Sequence, residues 1–202
     1  MDPLLVEIPE RIDTERFVLR CPQPGEGPLL LAMQTETIPD LRPWMPWAQE
    51  PPRPEDCEAY CRRMKARFIL REDIVWFVFE RDADGEPSAL VASVGLHRMD
   101  WNVRRFEIGY WRRTGQGGRG IVSEAVQALT RLCFDTLDAR RVELRMDHDN
   151  AASWKVAERC GYTLEAVLRG DSLTPAGMVR STRIYARVRG VEEPVQRTNA
   201  ST

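Results

Sequence analysis

The stretch Gly115-Gln-Gly-Gly-Arg-Gly120 holds four glycines and lies between a strand-like segment and an amphipathic segment. Glycine adopts backbone angles that other residues resist, and it lets a ligand approach the main chain. The start of a helix leaves N–H groups without partners and carries partial positive charge. A strand, a glycine turn and a helix start in this order therefore predict a socket for an anion, most often a phosphate.

The segment after the glycines has helical periodicity. It predicts a helix from Gly118 to about Thr136, because its apolar residues recur at the spacing of one helix face. These residues are Val122, Ala125, Val126, Leu129, Leu132 and Cys133. The preceding Glu107-Ile-Gly-Tyr-Trp111 predicts a strand. The glycines thus mark an element boundary rather than a linker.

Two familiar phosphate sites fit the turn poorly. The nucleoside-triphosphate loop needs a Lys and then Ser or Thr after its last glycine, and Ile121-Val122 stands there. The dinucleotide fingerprint G-x-G-x-x-G matches in spacing, and Asp135 and Asp138 lie near the expected acidic position. However, the turn comes past the middle of the chain, with no βαβ repeat before it. The fingerprint alone is weak evidence.

Composition predicts a globular protein, whose length allows one sizeable domain or two small ones; no linker stands out to divide it. The chain has 202 residues, 43% hydrophobic and 30% charged, with a net charge of −2. That charge offers no basic field for nucleic acid or an anionic membrane. With His97 and His148 as the only histidines and no C-x-x-C pair, metal binding is not expected. No signal peptide or membrane span is evident, so the cytoplasm is the expected compartment.

The order of predicted elements indicates the fold class. A first strand at 16–20 and a short helix at 29–33 precede a proline-rich, irregular region at 37–54. Helical and strand patterns then follow in the order α, β, β, β, α, β, α, β, β. This order predicts an α/β protein with a mixed sheet and helices on both faces. We expect an N-terminal arm at 1–11, one domain at 12–189 and a loose tail at 190–202.

Several motifs together suggest a family. They are Glu107-Ile-Gly-Tyr-Trp111, Gly118-Arg-Gly-Ile-Val-Ser-Glu-Ala-Val126, Arg141-Val-Glu-Leu-Arg145, Asn150-Ala-Ala-Ser153, Cys160-Gly-Tyr162 and Arg42-Pro-Trp-Met-Pro-Trp47. Across about residues 12–188 the chain resembles the GCN5-related N-acetyltransferases (GNAT), and most of all their RimJ/RimL-like branch of ribosomal-protein N-terminal acetyltransferases. The resemblance implies a mostly antiparallel sheet with a parallel pair at its centre.

The resemblance also implies that acetyl-CoA is the cosubstrate and that the glycine turn binds its diphosphate. The family pattern marks Gly117, Gly120 and Val122. Gly120 matches, Gly117 lacks the usual long side chain although Gln116 stands next to it, and Val122 is bulkier than usual. The cosubstrate-binding residues implied in this way are Trp111, Arg112, Gln116, Gly117, Gly118, Arg119, Gly120, Ile121, Val122 and Asn150. Arg112 and Arg119 are equally well explained as solvated surface residues.

Transfer of an acetyl group to an amine needs a base, a donor to the oxyanion and a proton for the departing thiolate. Glu107 is the first candidate for the base, because strand alternation places it opposite Phe106 and Ile108 and a nearby apolar wall would raise its pKa. A surface glutamate is the alternative explanation. Glu165, acting through water, is another candidate.

Many relatives carry a tyrosine seven residues after the asparagine of the last helix, and here Ala157 stands there. The ribosomal branch instead carries a serine three residues after the asparagine, which is Ser153 here. Ser153 is therefore the candidate proton source for the thiolate, with a helix-capping role as the alternative. Asn150 is expected to cap this helix, to contact the cosubstrate, or both.

The resemblance implies that the acceptor is a primary amine, with a protein N-terminus as the first candidate. Trp44 and Trp47 are candidates for substrate binding, or they anchor their loop to the core. A small-molecule or antibiotic amine is an alternative acceptor, and a catalytically silent CoA-binding module is an alternative function. Because relatives are often dimers, a homodimer is also expected.

Overall fold

Eight strands form a single sheet in the computed structural model, which describes residues 2–194. The strands are β1 (Arg11–Asp13), β2 (Phe17–Arg20), β3 (Ile74–Arg81), β4 (Pro87–Asp100), β5 (Arg105–Arg112), β6 (Arg141–Asp147), β7 (Thr163–Leu173) and β8 (Val179–Val188). Their order in the sheet is β1-β2-β3-β4-β5-β6-β8-β7. β5 and β6 pair in parallel and all the other neighbours are antiparallel. The predicted fold class is confirmed.

Four α-helices cover the sheet. They are α1 (Gly27–Leu41), α2 (Pro54–Leu70), α3 (Ile121–Arg131), which continues as a wider π turn over Leu132–Thr136, and α4 (Ala151–Arg159). Alternation along β3 separates the two faces. Phe77 and Phe79 pack with residues of α1 and α2, whereas Trp76 and Val78 belong to the core that contains α3. We call these the α1/α2 face and the α3/α4 face.

The structure corrects the sequence prediction for the region after Met33. Helix α1 continues through Pro39 to Leu41, and Pro46–Ala48 form one 3₁₀ turn. A proline inside a helix removes one hydrogen bond and usually breaks the helix. Here Ile38 and Leu41 are buried on the helix, and the apolar contacts they make outweigh that loss.

The N-terminal residues contain more structure than the sequence indicated. A 3₁₀ turn forms at Pro3–Leu5, and β1 and β2 form a hairpin that the sequence did not predict. Ile8 is buried, and the carbonyl of Pro9 accepts a hydrogen bond from Trp76. Residues 195–202 of the predicted tail lie outside the described residues, and the domain limits stay predictions.

Among the described residues, no helix has both the length and the hydropathy needed to cross a bilayer. The same part of the chain contains no cluster of three or more side chains able to hold a metal ion. All five cysteines are free and buried.

Candidate active site

The central strands β5 and β6 separate soon after they start. Their parallel register covers Arg105 to Glu107 on β5 and Arg141 to Glu143 on β6. Beyond that point β6 continues to pair with β8, while β5 continues to pair with β4. The β6-facing edge of β5 from Ile108 onward is therefore left without a strand partner in the described chain. The gap opens into a cleft of about 570 Å³.

The cleft reaches both faces of the sheet. Side chains of Glu107 and Trp111 lie on the α1/α2 face, because they alternate with the buried Phe106 and Ile108. Tyr110 lies on the α3/α4 face together with Ser153 of α4. Both groups line the same cleft. A molecule bound between β5 and β6 would contact Glu107 and Trp111 on one face of the sheet and Tyr110 and Ser153 on the other.

The glycine turn follows the end of β5 and leads into α3. Gly115, Gly118 and Gly120 have φ values of 77°, 74° and 75°, a left-handed conformation that L residues with side chains avoid. Gly120 is the residue before the first turn of α3 and offers no side-chain cap. The turn therefore depends on glycine at these positions.

Main-chain N–H groups at the turn are free to bind a ligand. Within residues 2–194, no hydrogen bond is made by the N–H groups of the residues from Gly117 through Ser123, and the first donor is Glu124, to the carbonyl of Gly120 at 3.0 Å. Ile121 and Val122 bury their side chains in the core, which fixes the start of α3. The unbonded amides thus form a group of donors at the positive end of a helix.

The two predicted phosphate-binding arginines have internal partners. Arg119 pairs with Glu80 at 2.7 Å and also bonds to Gln116. The guanidinium of Arg112 donates to the carbonyl of Arg113 at 2.9 Å. An arginine that the sequence analysis did not consider, Arg16, donates to the carbonyl of Arg119 at 2.8 Å. These contacts hold the turn in place.

Glu107 lies in the mouth of the cleft with its side chain 13% exposed. Burial raises the pKa of this carboxyl, with the nearby Glu143 acting in the same direction, while Arg98 opposes the shift. Arg98 contacts Oε2 of Glu107 at 2.9 Å. The burial makes Glu107 suited to exchange a proton nearer to neutrality than an exposed glutamate does.

Glu165, the alternative base, does not line the cleft. It makes a two-pronged ion pair with Arg141, with N–O distances of 2.7 and 2.5 Å. That pair lowers the pKa of the Glu165 carboxyl. The geometry therefore favours Glu107 over Glu165.

Ser153 and Tyr110 form a hydrogen-bonded pair that the sequence analysis missed. The hydroxyl of Tyr110 lies 3.0 Å from Oγ of Ser153 and also 3.0 Å from the Ser153 carbonyl. Burial raises the pKa of Tyr110, so the phenol keeps its proton. Alternation from Glu107 could have assigned Tyr110 to the α3/α4 face, but no local pattern predicts its contact with α4.

The Asn150 side chain caps α4 by accepting a hydrogen bond from the N–H of Ser153 at 3.1 Å. The capping role predicted for Asn150 is therefore observed, and Asn150 also lines the cleft. Ala157, where many relatives carry tyrosine, is buried in the core. That position offers no group to the cleft.

Trp44 and Trp47 line the cleft on the α1/α2 face. Trp47 is 46% exposed, and its ring contacts that of Trp111, with 5.4 Å between centroids. The two tryptophans thus extend an aromatic wall that begins on β5. This wall is the apolar side of the cleft mouth.

Comparisons with known proteins agree with this geometry. The family model described as "Acetyltransferase (GNAT) domain" matches residues 16–163. The "Putative ribosomal N-acetyltransferase YdaF" of Bacillus subtilis (strain 168) is 26% identical over 180 residues, which cover 85% of this chain and 91% of YdaF.

Solved structures share the fold. The microcin C7 self-immunity acetyltransferase MccE, in complex with acetyl-CoA and AMP, superposes with a TM-score of 0.81 at 21% identity, over 90% of this chain and 98% of MccE. RimL, the ribosomal L7/L12 alpha-N-protein acetyltransferase in complex with coenzyme A, gives 0.80 at 22% identity, over 89% of this chain and 98% of RimL.

Proposed function

This chain belongs to the GNAT family of acetyltransferases, and we propose that it transfers the acetyl group of acetyl-CoA to a primary amine. A protein N-terminal amine is the first candidate acceptor. The single observation that carries the proposal is the row of unbonded main-chain N–H groups from Gly117 onward, next to the gap between β5 and β6. The solved complexes of MccE with acetyl-CoA and of RimL with coenzyme A support the cosubstrate.

The proposed cosubstrate site has two parts. The diphosphate binds the amides of the turn between Gly117 and Val122, where several oriented N–H groups suit an anion. The pantetheine arm extends along the unpaired edge of β5, whose peptide groups from Ile108 onward offer hydrogen bonds as a neighbouring strand would. Trp111 and Asn150 border this path.

The proposed acid lies on the α3/α4 face. When the carbon–sulfur bond breaks, the thiolate takes a proton from Oγ of Ser153. Tyr110 has one hydroxyl proton and two acceptors in reach, the Ser153 carbonyl and the Ser153 hydroxyl. If Tyr110 donates to Oγ, the serine proton is free to point at the sulfur. Tyr110 therefore controls the direction of the Ser153 hydroxyl proton, according to whether it donates to Oγ or to the carbonyl of Ser153.

The acceptor enters from the α1/α2 face. Glu107, whose pKa burial raises, assists the loss of the amine proton at the mouth, and the aromatic wall of Trp47 and Trp111 holds the chain that follows the amine. The printed name of YdaF, a ribosomal N-acetyltransferase, supports a protein N-terminus. A small-molecule amine remains the second candidate, because the mouth is wide enough to include Asp147 and Arg180.

Two measurements test this proposal. Calorimetry should detect acetyl-CoA binding, and release of free thiol should follow when a suitable amine is added. The acceptor screen contains a peptide copied from the N-terminus of ribosomal protein L7/L12, spermidine and an aminoglycoside. Absence of acetyl-CoA binding at millimolar concentration would refute the assignment as an acetyltransferase enzyme. Binding without thiol release from any of the three amines would favour a CoA-binding module instead.

We also infer a homodimer in the cytoplasm. Strand β7 lies at the edge of the sheet, and its neighbourhood exposes large apolar side chains that a second copy would cover. These are Leu164, Val167, Leu168, Leu173, Met178 and Val179. Five free thiols suit a reducing compartment. Light scattering on the protein and on Leu173→Lys tests the interface, since a monomer in both samples would refute it.

A further inference from the structure

A histidine that the motifs do not mark lies beside Glu107 in the cleft. His97 on β4 is the register partner of Glu107 on β5, and Gly95 is the partner of Gly109. Residues two apart on a strand share a face, so all four lie on the α1/α2 face. The imidazole and the carboxylate are therefore direct cross-strand neighbours at the mouth where the acceptor would enter.

A carboxylate fixes the orientation of this imidazole. Nδ1 of His97 lies 2.7 Å from Oδ1 of Asp73, in the connection between α2 and β3. An ionised carboxylate only accepts hydrogen bonds, so Nδ1 carries the proton and donates it. Neutral His97 then has its lone pair on Nε2. Arg67 contacts the second oxygen of Asp73 at 3.4 Å, which helps to fix the position of the carboxylate.

The two glycines make room for the ring. A Cβ added at Gly109 would lie 2.7 Å from Cδ2 and 2.9 Å from Nε2 of His97, and one at Gly95 would lie 3.0 Å from Nε2. The imidazole thus lies flat across the paired glycines, with its Nε2 edge over β5. Within residues 2–194, Nε2 makes no hydrogen bond to the protein, and the side chain is 35% exposed. A free, oriented lone pair faces the cleft.

We propose that His97, oriented by Asp73, takes the proton from the acceptor amine at Nε2, and that Glu107 stabilises the imidazolium so formed. The inference rests on the proposed acetyl transfer. Glu107 is less free to act itself, because Arg98 holds its Oε2 at 2.9 Å. His97 has no such competitor at Nε2.

All protons and bonds of the proposed acetyl transfer are accounted for. The ammonium proton moves to Nε2, and the neutral nitrogen attacks the thioester carbonyl, forming the carbon–nitrogen bond. The carbon–sulfur bond breaks, and the thiolate takes a proton from the side of Ser153. The nitrogen loses its second proton, which replaces the one given to sulfur. His97 releases its proton to water, so each turnover yields an amide, free CoA and one proton.

The first test compares His97→Gln with His148→Gln, which removes the other histidine of the chain. With the best amine of the screen, we expect His97→Gln to lower kcat about 100-fold or more, the scale of general base catalysis, while acetyl-CoA affinity stays within about 3-fold. The ascending limb of the pH profile of kcat/KM, which reports the base of the free enzyme, should also disappear. The charged or titratable groups around His97 are its partners Asp73 and Glu107 and the groups near those two carboxylates, which are Tyr60, Arg67, Arg98, Glu143 and Arg145.

A retained limb in His97→Gln with kcat close to that of His148→Gln would overturn the proposal. Removal of the limb by Glu107→Gln, with His97→Gln unaffected, would assign the base to Glu107 instead. Either result leaves the acetyl transfer itself intact. Only a wild-type chain that fails to bind acetyl-CoA or to release thiol contradicts the proposed function.

A second measurement needs no turnover. Nitrogen-15 NMR of the imidazoles in the wild-type chain should show neutral His97 with the proton on Nδ1, and Asp73→Asn should disturb that tautomer without changing acetyl-CoA affinity. Asp73→Asn should also lower kcat more than it changes KM, because Asp73 is a positioning residue that acts through His97. A proton on Nε2 in the wild-type chain would refute the proposal.

Discussion

Gly118→Ala separates the two roles of the glycine turn, backbone geometry and anion binding. Gly118 has a φ of 74°, and nothing lies within 4 Å of a Cβ added there. The substitution therefore costs only the strain of a left-handed alanine, roughly 1–2 kcal/mol. For a domain of this size each kcal/mol lowers Tm by about 2–4 °C, so we expect a fall of about 2–8 °C.

Gly177→Ala is the matched control. Gly177 has a φ of 81°, also has nothing within 4 Å of an added Cβ, and lies in the turn between β7 and β8. Both variants should lose similar thermal stability. Only Gly118→Ala should lose acetyl-CoA affinity, because its methyl group would stand in the open space beside the turn and keep the phosphate away from the N–H groups. Loss of one hydrogen bond to a charged phosphate, about 1.5–3 kcal/mol, corresponds to a fall of about 10- to 100-fold. Calorimetry that gave both variants the same affinity would refute the role of the turn.

Three other changes give distinct outcomes. Ser153→Ala should lower kcat with little change in acetyl-CoA affinity, and Tyr110→Phe should lower kcat to a smaller extent. Single-turnover thiol release measures the rate of both variants. Unchanged rates would show that Ser153 and Tyr110 take no part in the mechanism. Trp47→Ala should raise KM for a peptide amine without changing acetyl-CoA affinity, as steady-state kinetics with varied peptide would show. Because burial raises the pKa of Glu107, the folded chain binds this proton more tightly than the unfolded chain, and the group's contribution to stability falls as pH rises through the raised pKa. Urea denaturation between about pH 4 and pH 7 should therefore show Glu107→Gln gaining stability relative to the wild type as pH rises; the opposite trend would show that Arg98 dominates.

The sequence predicted the parts of the site that depend on local pattern. The glycine turn, the helix after it and the cap of α4 by Asn150 all follow from residues close together in the chain. Strand alternation also predicts that the Glu107 side chain lies on the opposite face of the sheet from Phe106 and Ile108. Those signals need no knowledge of distant contacts, and the structure agrees with them except that α3 begins at Ile121 rather than at Gly118, because Gly118 and Gly120 have positive φ and belong to the turn.

Other parts of the site depend on contacts between distant residues. Asp73 and His97 are 24 positions apart, and Tyr110 and Ser153 are 43 apart. Only the sheet register and the packing of α4 bring these pairs together. The continuation of α1 through Pro39 was also hidden, because tertiary packing outweighed a local helix breaker. Such contacts leave no periodic trace in one sequence.

The separation of β5 and β6 has a mechanical consequence. Three residue pairs, starting at Arg105 with Arg141, form the whole register along this seam, while strands on either side are joined by longer ladders. The sheet therefore consists of two parts, β1 to β5 and β6 to β8, that are joined only by this short parallel register. A molecule bound in the opening would contact the strands on both sides at once, so occupancy should slow hydrogen exchange along the whole of β4 and β8, including residues outside the cleft.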